Sequence, residues 1–143
     1  MEVFKKCAGV ILYNKKKNSI ILANRFDGQG WSFLGGKQDE GESITETAVR
    51  ETFEESGVKI ITSDLNYIGV APGFACIKQK KSLVMSTIYC VFVEDVELNK
   101  NNEMAEFKEV CLDDLDFFIE NYRLFSPTKS ALVLFIDYLN NLK

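Results

Sequence analysis

The sequence contains no histidine among its 143 residues, and this absence removes several classes of chemistry at once. Without an imidazole, the chain can build neither a Ser-His-Asp triad nor a Cys-His nucleophile. It also cannot supply the histidine ligands of a Cys₂His₂ zinc site. Any acid–base catalysis must therefore come from carboxylates, lysine, tyrosine or metal-bound water.

Closely spaced cysteines are also lacking. The four cysteines, Cys7, Cys76, Cys90 and Cys111, are far apart, and no CxxC pair occurs. This spacing indicates neither a zinc ribbon nor a redox motif. We interpret the four residues as mostly buried free thiols in a reducing compartment, and we expect a cytoplasmic protein.

Long apolar runs and excess positive charge are absent too. No run reaches the length of a membrane span, and the short apolar run after Lys5 and Lys6 is interpreted as a first strand instead of a signal peptide. The length predicts one domain, residues 1–143. The net charge of −4 and the pI of about 5.0 predict no strong nucleic-acid binding, although they leave a local basic patch open.

Strands and helices are predicted in mixed order along the chain. The predicted strands are 7–13, 20–24, 31–34, 58–62, 65–71, 83–93 and 107–112. The predicted helices are 43–56, 113–122 with Asp113 as N-cap, and a last helix from Ser126 as N-cap with Pro127 as its first residue. Between them, PGF at 72–74 is expected to break the chain and KQKKS at 78–82 to form a hairpin turn. This order predicts an α+β fold with helices packed on a mixed sheet.

One acidic segment has a clear helical pattern. Ser43 and Glu46 form a capping-box pattern, and Gly57 is well placed to end the helix. At about 100° per residue, one face of the helix is predicted to face the core. That face consists of Ile44, Ala48, Val49, Thr52 and Phe53. Glu51, Glu54 and Glu55 share an arc at its edge, not on the far solvent side.

Crowding three carboxylates near a helix C-terminus is unfavourable, because like charges repel and the helix dipole adds to the repulsion. A solvated acidic face would explain Glu46 as an i,i+4 partner of Arg50, but it explains the triplet poorly. A hard divalent cation, Mg²⁺ or Mn²⁺, explains the triplet better. The turn at Gly35-Gly36 could offer a backbone carbonyl as a further oxygen ligand.

The same segment resembles the signature of the Nudix hydrolases, G-x5-E-x7-R-E-U-x-E-E-x-G-U, in which U is apolar. The matching positions are Gly36, Glu42, Arg50, Glu51, Glu54, Glu55, Gly57 and Val58. Thr52 departs from the pattern, because an apolar residue is usual there. The preceding WSFLGGK is similar to the W-x-F-P-G-G-K lead-in of MutT-type members, with Leu34 in place of proline. The resemblance implies a Nudix-type α/β/α sandwich.

The resemblance also implies an activity, the hydrolysis of a nucleoside diphosphate linked to another group. It implies that Glu51, Glu54, Glu55 and the carbonyl of Gly36 bind Mg²⁺ or Mn²⁺. Arg50 would orient a glutamate of the site, and a glutamate of the cluster, Glu54 or Glu51, would take the proton from water. In several members a base or further ligand lies outside the signature. Glu103 and Glu106 are the candidates here, and the choice between them stays open.

Four residues are candidates for contacting the substrate. Lys37 and Arg25 are candidates for phosphate contact, and the aromatic residues Phe33 and Phe74 are candidates for contact with the base. The alternation of Trp31 and Phe33 puts both on one sheet face, where they form either core or pocket wall.

Three functions are compatible with the sequence. The first is a MutT-like hydrolase that converts a (d)NTP, with oxidised ones such as 8-oxo-dGTP among the candidates, to a monophosphate and pyrophosphate. The second is a hydrolase of ADP-ribose, diadenosine polyphosphates or nucleotide sugars, and Pro72 lies about where ADP-ribose-cleaving members of the family carry a proline. The third is a nucleotide-binding module without catalysis. Dimers are frequent in the family, so a homodimer is compatible with each.

Overall fold

The fold is a mixed β-sheet with helices on both faces. The computed structural model describes residues 5–99 and 104–142, except for the side chain of residue 105. The described strands are β1 (Lys5–Asn14), β2 (Ser19–Arg25), β3 (Trp31–Ser32), β4 (Leu34–Lys37), β5 (Asn66–Ile77), β6 (Lys80–Val93) and β7 (Met104–Cys111). Their main order is β3-β2-β1-β6-β5, with β4 paired to β1 and β7 paired to β2. Strands β1 and β6 are parallel, and the other pairs are antiparallel.

Three α-helices cover the two faces of this sheet. Helix α1 (Ile44–Ser56) packs through Ala48 on one apolar cluster, whereas α2 (Leu115–Asn121) and α3 (Ser126–Asn141) pack on the other. The second cluster contains Leu115, Phe118, Ala131, Leu132 and Phe135 from these helices. The α+β class and the α/β/α layering predicted from the sequence are confirmed. In the described part of the chain, the helices are all too short or too polar to cross a membrane.

Helix α1 begins and ends where the sequence predicts. The Ser43 hydroxyl accepts a hydrogen bond from the Glu46 N–H, and the Glu46 carboxylate accepts one from the Ser43 N–H. Gly57 ends the helix in the left-handed region, with φ of 79°. Since Glu46 is used in this capping box, the predicted Glu46–Arg50 pair is wrong, and Arg50 bonds to other carboxylates.

The buried face of α1 is rotated relative to the prediction. Phe53 is 50% exposed, whereas Glu55 is only 1% exposed. The predicted core position of Phe53 is therefore wrong. A carboxylate takes the buried position because a backbone N–H stabilises it there, as described below.

Two segments between α1 and β6 differ from the prediction. Residues 58–61 form no strand, and Thr62–Asp64 form a 3₁₀ turn, so the predicted strand 58–62 is wrong. Strand β5 continues through 72–74 instead of breaking there. Proline is tolerated because β5 is the last strand of the main sheet order, where a missing N–H costs no ladder hydrogen bond.

The two C-terminal helices start one or more residues away from their predicted caps. Leu112–Asp114 form a 3₁₀ turn before α2, so Asp113 is not its N-cap. The N-cap of α3 is Phe125, with Ser126 as the first helical residue. The Ser126 hydroxyl instead accepts a hydrogen bond from the Phe74 N–H, at 3.1 Å, on the edge of β5.

Replacing Thr52 by valine is expected to stabilise the protein. Thr52 is fully buried in α1, and its hydroxyl has no hydrogen-bond partner among the residues that the structure describes. Valine has the same shape without the unpaired hydroxyl, so the free energy of unfolding should rise by about 1 kcal/mol. Urea denaturation measures the change. Thr47→Val is the matched control and should destabilise, because the Thr47 hydroxyl donates to Glu42 at 2.6 Å. A lower urea midpoint for Thr52→Val would contradict the account.

Candidate active site

A cavity of about 500 Å³ opens at the end of the sheet where β1 begins and β4 ends. One wall contains Gly35, Gly36 and Lys37 of β4, with Glu51 and Glu55 of α1. Other walls come from the 25–29 loop, the end of β5 and the start of α3. The signature segment therefore forms one side of a single cavity.

Arg50 holds the carboxylates beside this cavity in place. Its guanidinium donates to Glu42 through Nε at 2.7 Å and through Nη2 at 2.9 Å. Its Nη1 donates to Glu51 at 2.8 Å and to Glu54 at 2.9 Å. Nη2 also reaches the carbonyl oxygen of Lys37 at 3.2 Å. One planar fork thus connects the loop at Glu42, the turn after Gly36 and two glutamates of α1.

Glu55 and Glu51 lie against the glycine turn. The Gly35 N–H donates to Glu55 Oε1 at 2.8 Å, and this hydrogen bond helps to keep a carboxylate at a buried position. A Cβ added to Gly36 would lie 2.5 Å from the Glu51 carboxyl carbon. Glycine at position 36 therefore leaves the space that the Glu51 carboxylate occupies.

The donor atoms at this wall fit a hard divalent cation. Carboxylates of Glu51 and Glu55 and the backbone at Gly36 face the same cavity, and such oxygens are the ligands that Mg²⁺ and Mn²⁺ prefer. Glu54 does not line the cavity, and its side chain is 53% exposed, but it shares the Arg50 nitrogen with Glu51. Across residues 5–99 and 104–142, no group of three acidic or thiol side chains is already gathered as a metal site. In the structure, two of the proposed metal-binding carboxylates, those of Glu51 and Glu54, accept hydrogen bonds from Arg50.

The Arg50 contacts shift the ionisation of their partners. The hydrogen bond from Arg50, followed by that from the Thr47 hydroxyl, lowers the pKa of Glu42 from 4.5 to about 2. The pKa of Arg50 is raised above its already high value, first by its hydrogen bond to Glu42. Both groups therefore stay charged at neutral pH, and the Arg50 guanidinium stays bonded to the Glu42 carboxylate.

The cationic candidates for substrate contact both line the cavity, but in different states. Lys37 is exposed at its rim. Arg25 is bonded to Asp27 at 3.0 Å and lies over the Phe125 ring, 4.9 Å from its centroid. The charge of Arg25 is thus already balanced, so Lys37 is the better placed residue for a phosphate.

The two aromatic candidates differ in burial and in whether they line the cavity. Phe33 is 7% exposed, belongs to the core cluster shared with Trp31, and also lines the cavity. It is therefore both core and pocket wall. Phe74 is 52% exposed on the outer side of β5, under Lys81 at 4.8 Å, and does not line the cavity.

The candidates for an external base are not brought into the cavity by the described structure. Glu106 is exposed on β7, opposite Asn24 of β2, and it does not line the cavity. Glu103 lies outside the described residues.

Gln29 is a residue of this region that the sequence did not single out. Its amide accepts from the Cys76 N–H at 2.7 Å and donates to the Cys76 carbonyl at 3.2 Å. This pair of bonds ties the 25–29 loop to the outer edge of β5, and both segments line the cavity. No local motif marks a glutamine for this role, because the contact joins residues 47 positions apart.

The chain is similar to a known protein family over most of its length. The profile of the NUDIX domain matches residues 3–129. An RNA pyrophosphohydrolase of Wolbachia sp. subsp. Drosophila simulans is 31% identical in a gapped alignment of 131 positions that covers 81% of this chain and 78% of that protein. An RNA pyrophosphohydrolase of Pseudoalteromonas atlantica is 30% identical in a gapped alignment of 158 positions that covers 92% of this chain and 88% of that protein.

Two solved structures share the fold across nearly the whole chain. The MutT protein of Methanosarcina mazei Go1 superposes with a TM-score of 0.74 at 19% identity, covering 99% of this chain and 97% of that one. An Ap4A hydrolase of C. elegans superposes with a TM-score of 0.69 at 23% identity, covering 96% and 98%. The similarity to these structures therefore covers the fold of nearly the whole chain and not the acidic signature alone.

Proposed function

The chain belongs to the NUDIX family and is a Nudix pyrophosphohydrolase, and from this premise we propose that its substrate is a nucleoside 5′-triphosphate. The products would be a nucleoside monophosphate and pyrophosphate. The observation that carries the proposal is the shared cavity wall of Lys37, Gly36, Glu51 and Glu55. It offers one cation for phosphate oxygens next to carboxylates suited to a divalent metal.

The residues have distinct tasks in this proposal. Glu51, Glu54, Glu55 and the carbonyl of Gly36 would hold Mg²⁺ or Mn²⁺, which polarises phosphoryl oxygens and lowers the pKa of water when bound. Lys37 orients the polyphosphate at the rim of the cavity. Glu54, which is half-exposed, accepts the proton of the attacking water. The water oxygen forms a bond to phosphorus, and the bridging P–O bond breaks as pyrophosphate leaves.

Arg50 is a positioning residue in this scheme. Its Nη1 holds Glu51 and Glu54 together, and its Nε and Nη2 are anchored on Glu42. Because the guanidinium is planar, these bonds fix the two glutamates relative to the Gly36 turn.

The alternative substrates receive less support from the site. Pro72, the indication for ADP-ribose, is exposed on β5 and does not line the cavity. A non-catalytic module would not need Arg50 to gather two glutamates beside a cavity of about 500 Å³. The triphosphate is therefore the proposed substrate, and the substrate screen identifies its nucleobase.

A product-resolved substrate screen tests this proposal. Purified protein with Mg²⁺ is incubated with NTPs, dNTPs including 8-oxo-dGTP, ADP-ribose, diadenosine polyphosphates and sugar nucleotides. We expect turnover of triphosphates to monophosphate and pyrophosphate, abolished by EDTA and restored by added Mg²⁺ or Mn²⁺. Release of orthophosphate, turnover confined to ADP-ribose or dinucleotides, or nucleotide binding without turnover would overturn it.

A further inference from the structure

The side-chain amide of Gln29 bonds to the backbone of β5 as a neighbouring strand would. Its oxygen accepts a hydrogen bond from the Cys76 N–H at 2.7 Å, and its nitrogen donates one to the Cys76 carbonyl oxygen at 3.2 Å. Strand β5 ends the main sheet order, and an edge strand leaves a row of backbone groups without a neighbouring strand. Gln29 therefore satisfies both outward backbone groups of one residue on this edge.

Asp27 fixes the direction in which this amide points. The Gln29 side-chain nitrogen also donates to Asp27 Oδ2 at 2.7 Å, and the Gln29 backbone N–H donates to Oδ1 at 3.2 Å. Because the two amide protons are used by Asp27 and the Cys76 carbonyl, the amide oxygen is the atom that faces the Cys76 N–H. The same carboxylate accepts a hydrogen bond from the Arg25 guanidinium at 3.0 Å. One network of hydrogen bonds thus runs from Arg25 to the edge of β5.

The position of the 25–29 loop depends on this network. Among the described residues, the hydrogen bonds between the loop and β5 are the two made by the Gln29 amide. Within the loop, the Gly28 N–H lies 3.5 Å from the Arg25 carbonyl oxygen, which is a long contact for a backbone hydrogen bond. Phe26 is 62% exposed, so its ring does not anchor the loop in the core. Removing the Gln29 amide would therefore detach the loop from β5.

The loop and the end of β5 form walls of the cavity other than the one assigned to metal and phosphate. Arg25, Phe26 and Asp27 line the cavity from the loop, and Cys76 lines it from β5. A nucleotide whose phosphates lie at the wall of Lys37, Glu51 and Glu55 places its sugar and base against the remaining walls. The Gln29 amide joins two of those walls.

We propose that Gln29 is a positioning residue for substrate binding, which keeps the loop and β5 in the arrangement that receives the nucleoside end of the substrate. The inference rests on the proposed function and adds a residue to it. Gln29 acts through the loop and not on the reacting phosphorus. Because a protein binds its ligand only in proportion to the fraction that is in the binding arrangement, losing the amide lowers affinity and leaves the chemical step intact.

The test compares the same substitution at two glutamines. In Gln29→Glu the side chain keeps its length, but the carboxylate has no proton to donate to the Cys76 carbonyl and repels Asp27. Gln79→Glu is the matched control, because Gln79 is exposed in the β5–β6 hairpin and does not line the cavity. Gln29→Ala is a second variant, which removes the amide without adding a charge.

Two measurements are made on each variant. The first is kcat and KM with Mg²⁺ on the triphosphate that the substrate screen shows to be hydrolysed fastest, or on GTP if none is hydrolysed. The second is hydrogen–deuterium exchange of the Cys76 N–H, followed by NMR, which reports the bond to Gln29 without any turnover.

We expect KM to rise about 10-fold in Gln29→Glu and Gln29→Ala, since this is the effect of reducing the binding arrangement to about a tenth of the molecules. Their kcat should stay near the wild-type value. The Cys76 N–H should exchange faster in Gln29→Ala, because no acceptor is left for it. Gln79→Glu should match the wild type in both measurements.

Several outcomes would overturn the inference. They are an unchanged KM in both Gln29 variants, an equal rise of KM in Gln79→Glu, a loss of kcat at unchanged KM, and unchanged exchange of the Cys76 N–H in Gln29→Ala. If the wild type binds GTP but hydrolyses no triphosphate, the proposed function fails. The dissociation constants of GTP, measured by isothermal titration calorimetry, then decide the role of Gln29 in place of KM. If the wild type neither hydrolyses nor binds a triphosphate, both proposals are wrong.

Discussion

Glu54→Gln is expected to lower kcat on the triphosphate substrate by about 10²–10⁴-fold, the range that a positioned acid–base group contributes. The substitution removes one negative charge and one proton acceptor while keeping the size of the side chain. Because Glu54 is half-exposed, the thermal midpoint should change little. Steady-state kinetics with Mg²⁺, together with a thermal melt, measures both effects.

Glu46→Gln provides the matched control for this substitution. Glu46 lies on the same helix, is exposed, and is used in the capping box, where glutamine also functions. Its kcat should stay near the wild-type value. Comparable turnover in Glu54→Gln and the wild type would refute the assignment of Glu54.

Arg50→Lys is expected to reduce kcat by about 10–100-fold, as is typical when a residue that orients metal-site ligands is replaced. Lysine keeps the positive charge but has a single nitrogen, so it cannot bond to Glu42, Glu51 and Glu54 together. The control is Arg123→Lys at an exposed arginine, which should leave kcat unchanged. Equal activities of Arg50→Lys and the wild type would show that the fork does not position the glutamates.

The same variant should show a different stability profile in acid. The pKa of Glu42 is lowered to about 2 in the folded protein, first by Arg50, from an ordinary value of 4.5. Glu42 therefore contributes stability that is present above pH 4.5 and lost as pH falls towards 2. In Arg50→Lys this contribution should shrink, so the urea midpoint should fall less steeply over that pH window than in the wild type. Parallel profiles would contradict the account.

Local signals in the sequence predicted the helix that carries the site. The capping box at Ser43 and the glycine at 57 are set by residues within one segment, and the structure agrees with both. The α+β class also followed from the order of predicted strands and helices. The α/β/α layering, in contrast, was predicted from the resemblance to the Nudix family. The roles of the signature glutamates as metal ligands stay predictions, because the described residues form no assembled metal site.

Features that depend on contacts between distant segments could not be predicted in this way. Strand β5 runs through Pro72 because it lies at the edge of the main sheet order, a position that the local sequence does not reveal. Ser126 and Gln29 bond to the outward N–H groups of Phe74 and Cys76 on the same edge. Similarly, Glu55 is buried because the Gly35 N–H, twenty residues earlier, bonds to it. A periodicity argument treats a glutamate as polar and assigns the core to Phe53, which is why the buried face of α1 was misplaced.

We expect the acidic end of α1 and the Gly36 turn to form a divalent-cation site, and electron paramagnetic resonance measures this as the binding of Mn²⁺. Wild-type protein should remove the free Mn²⁺ signal in a saturable way, and Mg²⁺ should restore it by competition. Glu54→Gln should bind Mn²⁺ more weakly, whereas Glu46→Gln should bind like the wild type. If the wild type leaves the free Mn²⁺ signal unchanged, or if Glu54→Gln and Glu46→Gln bind equally, the account of the site is wrong.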